Sequence, residues 1–309
     1  MHSNVATMKK SPCSTLLNRQ RIAPNQYTYQ MLPSFTHSGS FHNMQATAVV
    51  QGGFLAASQI DAAIQAIHES QTAPLHNVTL LESKITYLLP ARIGVLLCKV
   101  ILRRVGGRVG FVEVFAYQQE KLLVTCSATI ILERNKAFTN VNQTPLTSIL
   151  QLPHPRATSE EATTLLSLSQ MQKPKTTIEI SKQESNLATF FNSHHHAFDL
   201  MAGTLWSEMD ISNQAMNEND YVQAGFVSAM LDNCMATAFM GFRRWKVMYA
   251  PTLELQTHYF HRVRGGRAEF VTRIIHMDNQ FGYLEVELFQ NGILMAKGES
   301  TLLMTYPKM

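Results

Sequence analysis

Cysteine is scarce in this 309-residue sequence. The four that occur are scattered along the chain without the spacing of a metal-binding motif: Cys13, Cys98, Cys126 and Cys234. Because disulfide frameworks and zinc sites need regularly spaced cysteines, this pattern indicates free thiols in a reducing compartment. We therefore expect a cytoplasmic protein without a bound metal.

Acidic residues are missing from the start of the chain, where the first one is Asp61. A long segment without acids is typical of organellar transit peptides, which are also rich in arginine. The basic residues here are too sparse for that pattern: Lys9, Lys10, Arg19 and Arg21. We therefore expect residues 1–26 to form an N-terminal extension or an added element of the first domain, with organellar targeting as the lesser alternative.

Long apolar runs and a strong net charge are absent as well. No run approaches the eighteen or so residues that a membrane span requires, so no membrane span is expected. The formal net charge of +4 is too small to indicate a nucleic-acid partner, although it suits a small anionic ligand. A hydrophobic content of 45% with 16% charged residues is typical of a globular protein.

The sequence does contain an internal repeat. Residues 51–132, moved forward by 172 positions, align with residues 223–304 without a gap, and sixteen of the 82 pairs are identical. The identities fall where backbone geometry or packing is demanding, for example Gly53 with Gly225, Ala57 with Ala229, and Tyr87 with Tyr259. The period is too long for a solenoid, so it indicates a tandem duplication of one domain.

Each copy has the same predicted order of elements. A glycine turn, Gln51-Gly52-Gly53 or Gln223-Ala224-Gly225, precedes an apolar helix of about 16 residues, and four strand-like segments follow. In the second copy these segments are 251–261, 267–277, 281–290 and 293–304. Their β-branched and aromatic enrichment, with hairpin-length breaks, predicts an antiparallel meander. The second helix is apolar on nearly every side, so we expect the sheet to wrap around it.

This order of elements resembles the hotdog fold. The second copy is similar to acyl-CoA thioesterases of the phenylacetic-acid-pathway (PaaI-like) type over about 90 residues, and the first copy resembles a more diverged member. Two fused copies resemble double-hotdog thioesterases, in which one chain forms internally the dimer that single-domain relatives form between subunits. The resemblance implies an α+β fold of tandem hotdog domains, each an antiparallel sheet around a long central helix, and leaves further homo-oligomerisation open.

The expected domains are hotdog domain 1 over residues 27–134, a connector over 135–186 and hotdog domain 2 over 187–309. Prolines punctuate the connector, and residues 159–170 are predicted to form one short helix.

The first strands of each domain are expected ahead of its glycine turn. They are predicted within residues 27–46 for the first domain, and at 187–191 and 204–211 for the second. The run His194-His195-His196 in this region is not expected to bind a metal, because consecutive side chains point in different directions.

Asp232 is the leading catalytic candidate. A carboxylate within an apolar helix is costly to bury unless it is paired, hydrogen-bonded or functional, and such carboxylates are typical of catalytic sites. The residues alone leave open that Asp232 is simply solvated where the helix emerges. The resemblance favours catalysis, because PaaI-like thioesterases carry an Asp nine residues after a motif His, and Gln223 occupies that His position.

Two further polar residues fit the family pattern. Asn217 lies six residues before Gln223, where the family has an Asn, and Thr252 stands at the family's Ser or Thr position. Gln223 departs from the motif His, since glutamine forms hydrogen bonds but does not titrate near neutral pH. Ala224 replaces the first glycine of the motif, and a φ above zero there would be strained.

The same offsets give a different result in the first copy. Ile60 stands in the place of Asp232, Leu80 in that of Thr252, and Gln45 in that of Asn217. Asp61 lies one position late, turned about 100° around the helix. The first copy therefore lacks its own acid and hydroxyl, although it keeps the Gln51-Gly52-Gly53 turn.

The resemblance implies that each site combines groups from both domains. We predict a live site in which Asp232 and Thr252 meet Gln51, Gly52 and Gly53, with Gln45 contacting the substrate. The N–H of Gly52 or Gly53, at a helix N-terminus, would form the oxyanion hole. Asp232 would act as general base or as nucleophile through an anhydride, and Thr252 would orient the water or the carboxylate. Asn217, Gln223 and Gly225 are further substrate-contact candidates on the opposite side, which lacks an acid and is expected to be inert.

Arginines are candidates for the phosphates of coenzyme A, since the guanidinium fork suits them. Arg92 and Arg264 occupy equivalent positions, although a solvated turn residue is the simpler interpretation of each. The expected partner is an acyl-CoA substrate, without a cofactor. A non-catalytic acyl-CoA or lipid-binding module stays open because both motif histidines are glutamine. A structural scaffold ranks third, and a hydratase ranks low because neither glycine turn has a histidine.

Overall fold

The computed structural model describes residues 11–35, 49–71, 75, 77–133, 191–199, 201–217, 219–243 and 250–305. The predicted connector at 135–186 and its helix at 159–170 lie outside the described residues. So do Gln45, residues 187–190 and the side chains of His194, His195 and His196.

The first half of the chain contains two helices and six strands. A short helix and a hairpin come first: α1 Pro12–Leu16, β1 Gln20–Ala23 and β2 Gln26–Met31. The helix predicted after the first glycine turn is α2, Gly52–Ser70. Four strands follow it, as predicted: β3 Asn77–Tyr87, β4 Gly94–Val105, β5 Val109–Gln118 and β6 Lys121–Glu133.

The second half repeats this order. Two strands precede the helix, β7 Phe191–Asp199 and β8 Thr204–Ile211, and the helix is α3, Ala224–Phe242. Its four following strands are β9 Thr252–Tyr259, β10 Gly266–Met277, β11 Phe281–Gln290 and β12 Ile293–Leu303. The predicted order of one helix and four strands is confirmed in both copies, and each helix is 19 residues long rather than about 16.

The described strands form one antiparallel sheet in the order β1-β2-β4-β5-β6-β3-β9-β12-β11-β10-β8-β7. The order of the second half mirrors that of the first about the β3–β9 pair. In this pair Lys84 lies opposite Gln256, and 84 + 172 = 256, so the two are equivalent positions of the repeat. The halves are therefore related by a pseudo-twofold axis through the centre of the sheet.

The two long helices pack against the sheet and against each other. A Cβ atom on Gly53 would lie 2.8 Å from Ala229 Cβ, and one on Gly225 would lie 2.7 Å from Ala57 Cα. Glycine at both positions allows this approach, which sets the N-terminus of each helix against the middle of the other. None of the described helices combines the length and apolarity that a membrane crossing needs.

The start of the chain packs with the first half. Residues 1–26 were expected to form an N-terminal extension or an added element of the first domain, and the pairing of β1 with β2 at Gln20–Thr28 and Arg21–Tyr27 favours the added element over a loose extension. Cys13 in α1 is fully buried. The described residues before 27 are therefore part of the first half. The sequence did not reveal this, because these elements are too short to show apolar periodicity. All four cysteines are buried free thiols, as predicted.

Candidate active site

A cavity of about 300 Å³ lies where the N-terminus of α2 meets the middle of α3. The first half of the chain lines it with the Gln51-Gly52-Gly53 turn and Tyr87, and the second half with Asp232 and Thr252. Most of the remaining lining is apolar, including Leu88 and Leu253. The structure therefore brings together the acid, the hydroxyl and the glycine turn that we predicted to share one site.

The carboxylate of Asp232 is held between the two halves. Its side chain is 7% exposed, and its Oδ1 accepts a hydrogen bond of 2.7 Å from the Thr252 hydroxyl. Its Oδ2 faces the glycine turn so closely that a Cβ on Gly52 would lie 3.1 Å away. Glycine at position 52 therefore leaves room for the acid.

The environment of Asp232 tunes its ionisation. Burial raises the pKa of Asp232 to about 6, because a charged carboxylate loses hydration inside the protein. The Thr252 hydroxyl and the Gly53 backbone act in the opposite direction and lower the pKa, since both favour the charged form. The group is thus a base whose protonation changes just below neutral pH, where general-base catalysis is most effective.

The glycine turn offers donors to a ligand. Gln51 is the N-cap of α2, so Gly52 and Gly53 are its first two residues, whose N–H groups have no acceptor within the helix. The helix dipole adds partial positive charge at this end. Among the described residues, none donates to the buried Oε1 of Gln51. This end of α2 can therefore stabilise a negatively charged oxygen.

The equivalent position on the opposite side is filled by the start of the chain. Asp61, which is 2% exposed, accepts hydrogen bonds from four side chains: Ser11 at 2.6 Å, Arg19 at 2.9 Å, Tyr29 at 3.0 Å and Gln223 at 2.9 Å. The other end of the Gln223 amide, Oε1, accepts from the backbone N–H of Cys13 in α1 at 2.9 Å. These hydrogen bonds hold helix α1 over the second glycine turn, Gln223-Ala224-Gly225.

Several candidates from the sequence lie away from the cavity. Gln223 makes the internal contacts just described, and Gly225 packs against Ala57. Asn217 organises its own loop, because its Oδ1 accepts from the backbone N–H groups of Asn219 and Tyr221 at 3.0 and 3.2 Å. These contacts give each of the three residues a structural role in the fold. Ala224 begins α3 in helical conformation, so the strain of a positive φ does not arise.

The two arginines differ in their relation to the cavity. Arg92 is exposed and follows Ala91, which lines the cavity. Arg264 is also exposed, and its guanidinium lies 5.3 Å from the centre of the Tyr221 ring. In both turns the arginine backbone exchanges two hydrogen bonds with a glutamine side chain, Gln118 for Arg92 and Gln290 for Arg264. Only Arg92 stands beside the Asp232 cavity.

Tyr87 lines the cavity, although the sequence interpretation did not assign it to the site. Tyr87 donates a hydrogen bond of 3.1 Å from its hydroxyl to the backbone carbonyl of Gly52. The sequence did mark this position, because Tyr87 is identical to Tyr259 across the repeat. An aromatic residue on a strand is, however, typical of the hydrophobic core. The described residues contain no cluster of three or more His, Cys, Asp or Glu side chains suited to a metal ion.

Part of the chain also matches a known protein family. Residues 49–125 match the family model described as thioesterase superfamily. Over these residues the chain is similar to the thioesterase superfamily, the class that the sequence resemblance predicted. The matched residues are those of the first copy, which carries the glycine turn of the cavity; the PaaI-like subtype stays a prediction. No curated protein sequence matches the chain.

Solved structures show the fold over nearly the whole chain. The TesB protein of Mycobacterium avium subs paratuberculosis has a TM-score of 0.65 and 12% identity, covering 96% of this chain and 98% of that one. Acyl-CoA thioesterase II of Mycobacterium marinum has a TM-score of 0.63 and 10% identity, covering 96% and 99%. A hot dog fold protein of Alicyclobacillus acidocaldarius has a TM-score of 0.64 and 12% identity, covering 96% and 98%. At these identities the likeness shows the hotdog fold alone.

Proposed function

We propose that this thioesterase hydrolyses an acyl-CoA, or a related acyl thioester, to the free acid and the thiol. The observation that carries the proposal is the buried Asp232 carboxylate, which faces the donor-rich end of α2 from the other half of the molecule. The choice of acyl-CoA is supported by the fold shared with an acyl-CoA thioesterase II over 96% of the chain.

In the proposed mechanism, the acyl group enters the apolar part of the cavity. The thioester carbonyl oxygen receives a hydrogen bond from the N–H of Gly52, since the Gly53 N–H acts on Asp232, and this bond stabilises the charge that develops during attack. Asp232 removes a proton from water as the water oxygen bonds to the carbonyl carbon. Collapse of the tetrahedral intermediate breaks the carbon–sulfur bond, and the proton passes from Asp232 to the departing thiolate.

Two neighbours assist Asp232 in this proposal. The Thr252 hydroxyl donates to Oδ1 and so leaves Oδ2 directed toward the glycine turn, where the water and the carbonyl meet. The Gln51 amide replaces the imidazole of related enzymes, and its Oε1 is a buried acceptor for a donor on the water or the substrate. A glutamine here orients ligands without itself changing protonation.

Attack by Asp232 itself is the second form of the mechanism. The carboxylate would form an anhydride with the acyl group, release the thiolate, and then be regenerated by water. A single turnover in ¹⁸O-labelled water detects one course of the anhydride form. Label incorporated into Asp232 indicates an anhydride opened at the Asp232 carbonyl, whereas label found only in the product acid fits either the general-base route or an anhydride opened at the acyl carbonyl.

We further propose that the two halves are tandem hotdog domains that form an internal pseudo-dimer with one live site. The pseudo-twofold order of the sheet supports the pairing. The opposite position has Ile60 in place of the acid, and α1 is fastened over its glycine turn through Gln223. The cytoplasmic location and any assembly beyond this unit stay predictions.

The experiment is acyl-CoA hydrolysis across chain lengths by the wild type and by Asp232→Asn. We expect Asp232→Asn to lower kcat about 100-fold or more, because general-base catalysis contributes that much. The activity of the wild type should fall as the pH drops below about 6, where Asp232 becomes protonated.

The matched control is Asp61→Asn, which removes another buried carboxylate on the other helix. It should retain wild-type kcat, since Asp61 faces the closed position. Wild-type turnover by Asp232→Asn would contradict the proposal. Tight binding of acyl-CoA by the wild type without hydrolysis would favour the non-catalytic binding module.

A further inference from the structure

The hydroxyl of Tyr87 contacts the glycine turn beside Asp232. It donates to the Gly52 carbonyl oxygen at 3.1 Å, and its ring carbon Cε1 lies 3.4 Å from the place of a Cβ on Gly52. Tyr87 is the last residue of β3, and that strand holds it in place through ladder pairing with β6 and β9. A rigid element therefore supports this contact.

The geometry of the peptide bond gives this contact a consequence. The Gly52 carbonyl and the Gly53 N–H belong to one planar trans peptide unit, so they point in opposite directions. A bond that fixes the carbonyl also fixes the direction of the N–H, which acts on Asp232. A carbonyl that accepts a hydrogen bond is also more polarised, which strengthens donation by its N–H.

We propose that Tyr87 is a positioning residue of the active site, whose hydroxyl holds the Gly52–Gly53 peptide with its N–H turned toward Asp232. Its effect on hydrolysis rests on the function proposed above, whereas its effect on Asp232 does not. Removal of the hydroxyl takes one donor from the Gly52 carbonyl, which reduces the polarisation of this peptide and weakens the donor that favours the carboxylate.

The repeat supplies a matched position. Tyr259, the equivalent of Tyr87, donates to the Ala224 carbonyl at 3.2 Å on the opposite side. Its hydroxyl also lies 2.5 Å from that of Ser228. The same tyrosine-to-turn bond therefore occurs where Ile60 replaces the acid. Its removal tests the cost of losing such a bond without touching Asp232.

The titratable groups near this contact do not interfere with the test. Burial raises the pKa values of Tyr87, Cys126 and Tyr259 above their ordinary values, with Asp232 as a further cause for Tyr87. All three are neutral near pH 6. A titration observed there belongs to Asp232.

The experiment compares Tyr87→Phe with Tyr259→Phe. The pKa of Asp232 is measured by NMR on protein labelled with ¹³C at the aspartate carboxyl carbon, using Asp232→Asn to assign the signal. We expect Tyr87→Phe to raise this pKa by about 0.5, because the ionised form loses part of its donor. It should also lower kcat about tenfold with KM changed less than about twofold, and shift the acid limb of the pH–rate profile upward. Tyr259→Phe should change none of these.

An unchanged Asp232 pKa in Tyr87→Phe, or an equal rise in Tyr259→Phe, would overturn the proposal. The NMR titration needs no turnover, so it tests the role of Tyr87 even if the wild type hydrolyses no thioester; that result would count against the proposed function alone. If Tyr87→Phe does not fold, 3-fluorotyrosine at position 87 retains the ring and is a stronger donor. It should lower the pKa of Asp232, and a pKa that stays the same or rises would also overturn the proposal.

Discussion

At the scale of single residues, the burial of Asp232 that suits it to the proposed reaction also lowers the stability of the folded protein at neutral pH. The folded protein holds a carboxylate with a pKa of about 6, whereas an aspartate in an unfolded chain has a pKa of about 3.9. The folded state therefore binds the proton more tightly. The stability that this provides is fully present below about pH 4 and is lost as the pH rises through about 6.

Asp232→Asn should consequently stabilise the protein while it abolishes hydrolysis. Asparagine keeps one side-chain oxygen, which can accept from Thr252 or from the Gly53 amide, and it carries no charge to be desolvated. We expect a free energy of unfolding about 3 kcal/mol higher than that of the wild type at pH 8, and a much smaller difference at pH 4.5. Urea denaturation at both pH values measures this. A difference that does not depend on pH would contradict the raised pKa.

Arg92 and Arg264 provide a second test at this scale, since only Arg92 stands beside the cavity. If Arg92 contacts the phosphates of coenzyme A, Arg92→Ala should raise KM for acyl-CoA about tenfold and leave kcat nearly unchanged. KM for an acyl-N-acetylcysteamine thioester, which lacks phosphates, should not change. Arg264→Ala is the control and should behave as the wild type with both substrates. Equal effects of the two variants would exclude a specific role for Arg92.

At the scale of elements, the crossing of α2 and α3 builds the site. Gly53 contacts Ala229, which lies three residues before Asp232, so the closeness of the helices brings the acid to the glycine turn. The reciprocal contact of Gly225 with Ala57 completes the crossing. A methyl group at either glycine meets the backbone of the facing helix, which cannot yield as a flexible side chain would.

Gly225→Ala should therefore lower the free energy of unfolding by about 1–3 kcal/mol, the usual cost of overpacking. Gly107→Ala is the matched control, because a Cβ there meets no atom within 4 Å. That change should cost little or nothing. Chemical denaturation of both variants gives the comparison, and equal stability of the two would show that the helices cross less closely than these distances imply.

The elements differ in how far the sequence revealed them. The strands after each helix were predictable because turn residues mark every break, as at Asn291 and Gly292, both of which adopt a positive φ. The four-residue strand β1 and the five-residue helix α1 were not, because neither is long enough to show a periodic pattern. Their place in the fold depends on contacts such as Arg19 with Asp61, 42 positions apart.

At the scale of the whole molecule, duplication made the composite site predictable. The family resemblance located Asp232 and Thr252 in the second copy, the offset of 172 showed that the first copy lacks both but keeps its glycine turn, and the structure brings these groups together. The offset did not reveal the role of Tyr87, whose contact is with a backbone atom. Nor did it predict that Gln223 would bond to Asp61 and α1, since Asp61 is aligned with Asn233 and α1 precedes the aligned residues.

The two glycine turns consequently lie in different surroundings. One glycine turn opens into a cavity with a buried acid, and the other is covered by α1, with Arg19 neutralising Asp61. A pseudo-symmetric chain thus becomes asymmetric in its chemistry. The central claim is one composite site per chain, with the acid supplied by the second half and the carbonyl-binding amides by the first.

The measurement that tests this claim most directly is a crystal structure of Asp232→Asn bound to an acyl-CoA. The variant should retain the substrate because it lacks the base. We predict one ligand per chain, with its thioester carbonyl oxygen at the N–H of Gly52 and its reacting carbon facing residue 232. A thioester bound at the Ala224-Gly225 turn, or away from both turns, would contradict the account.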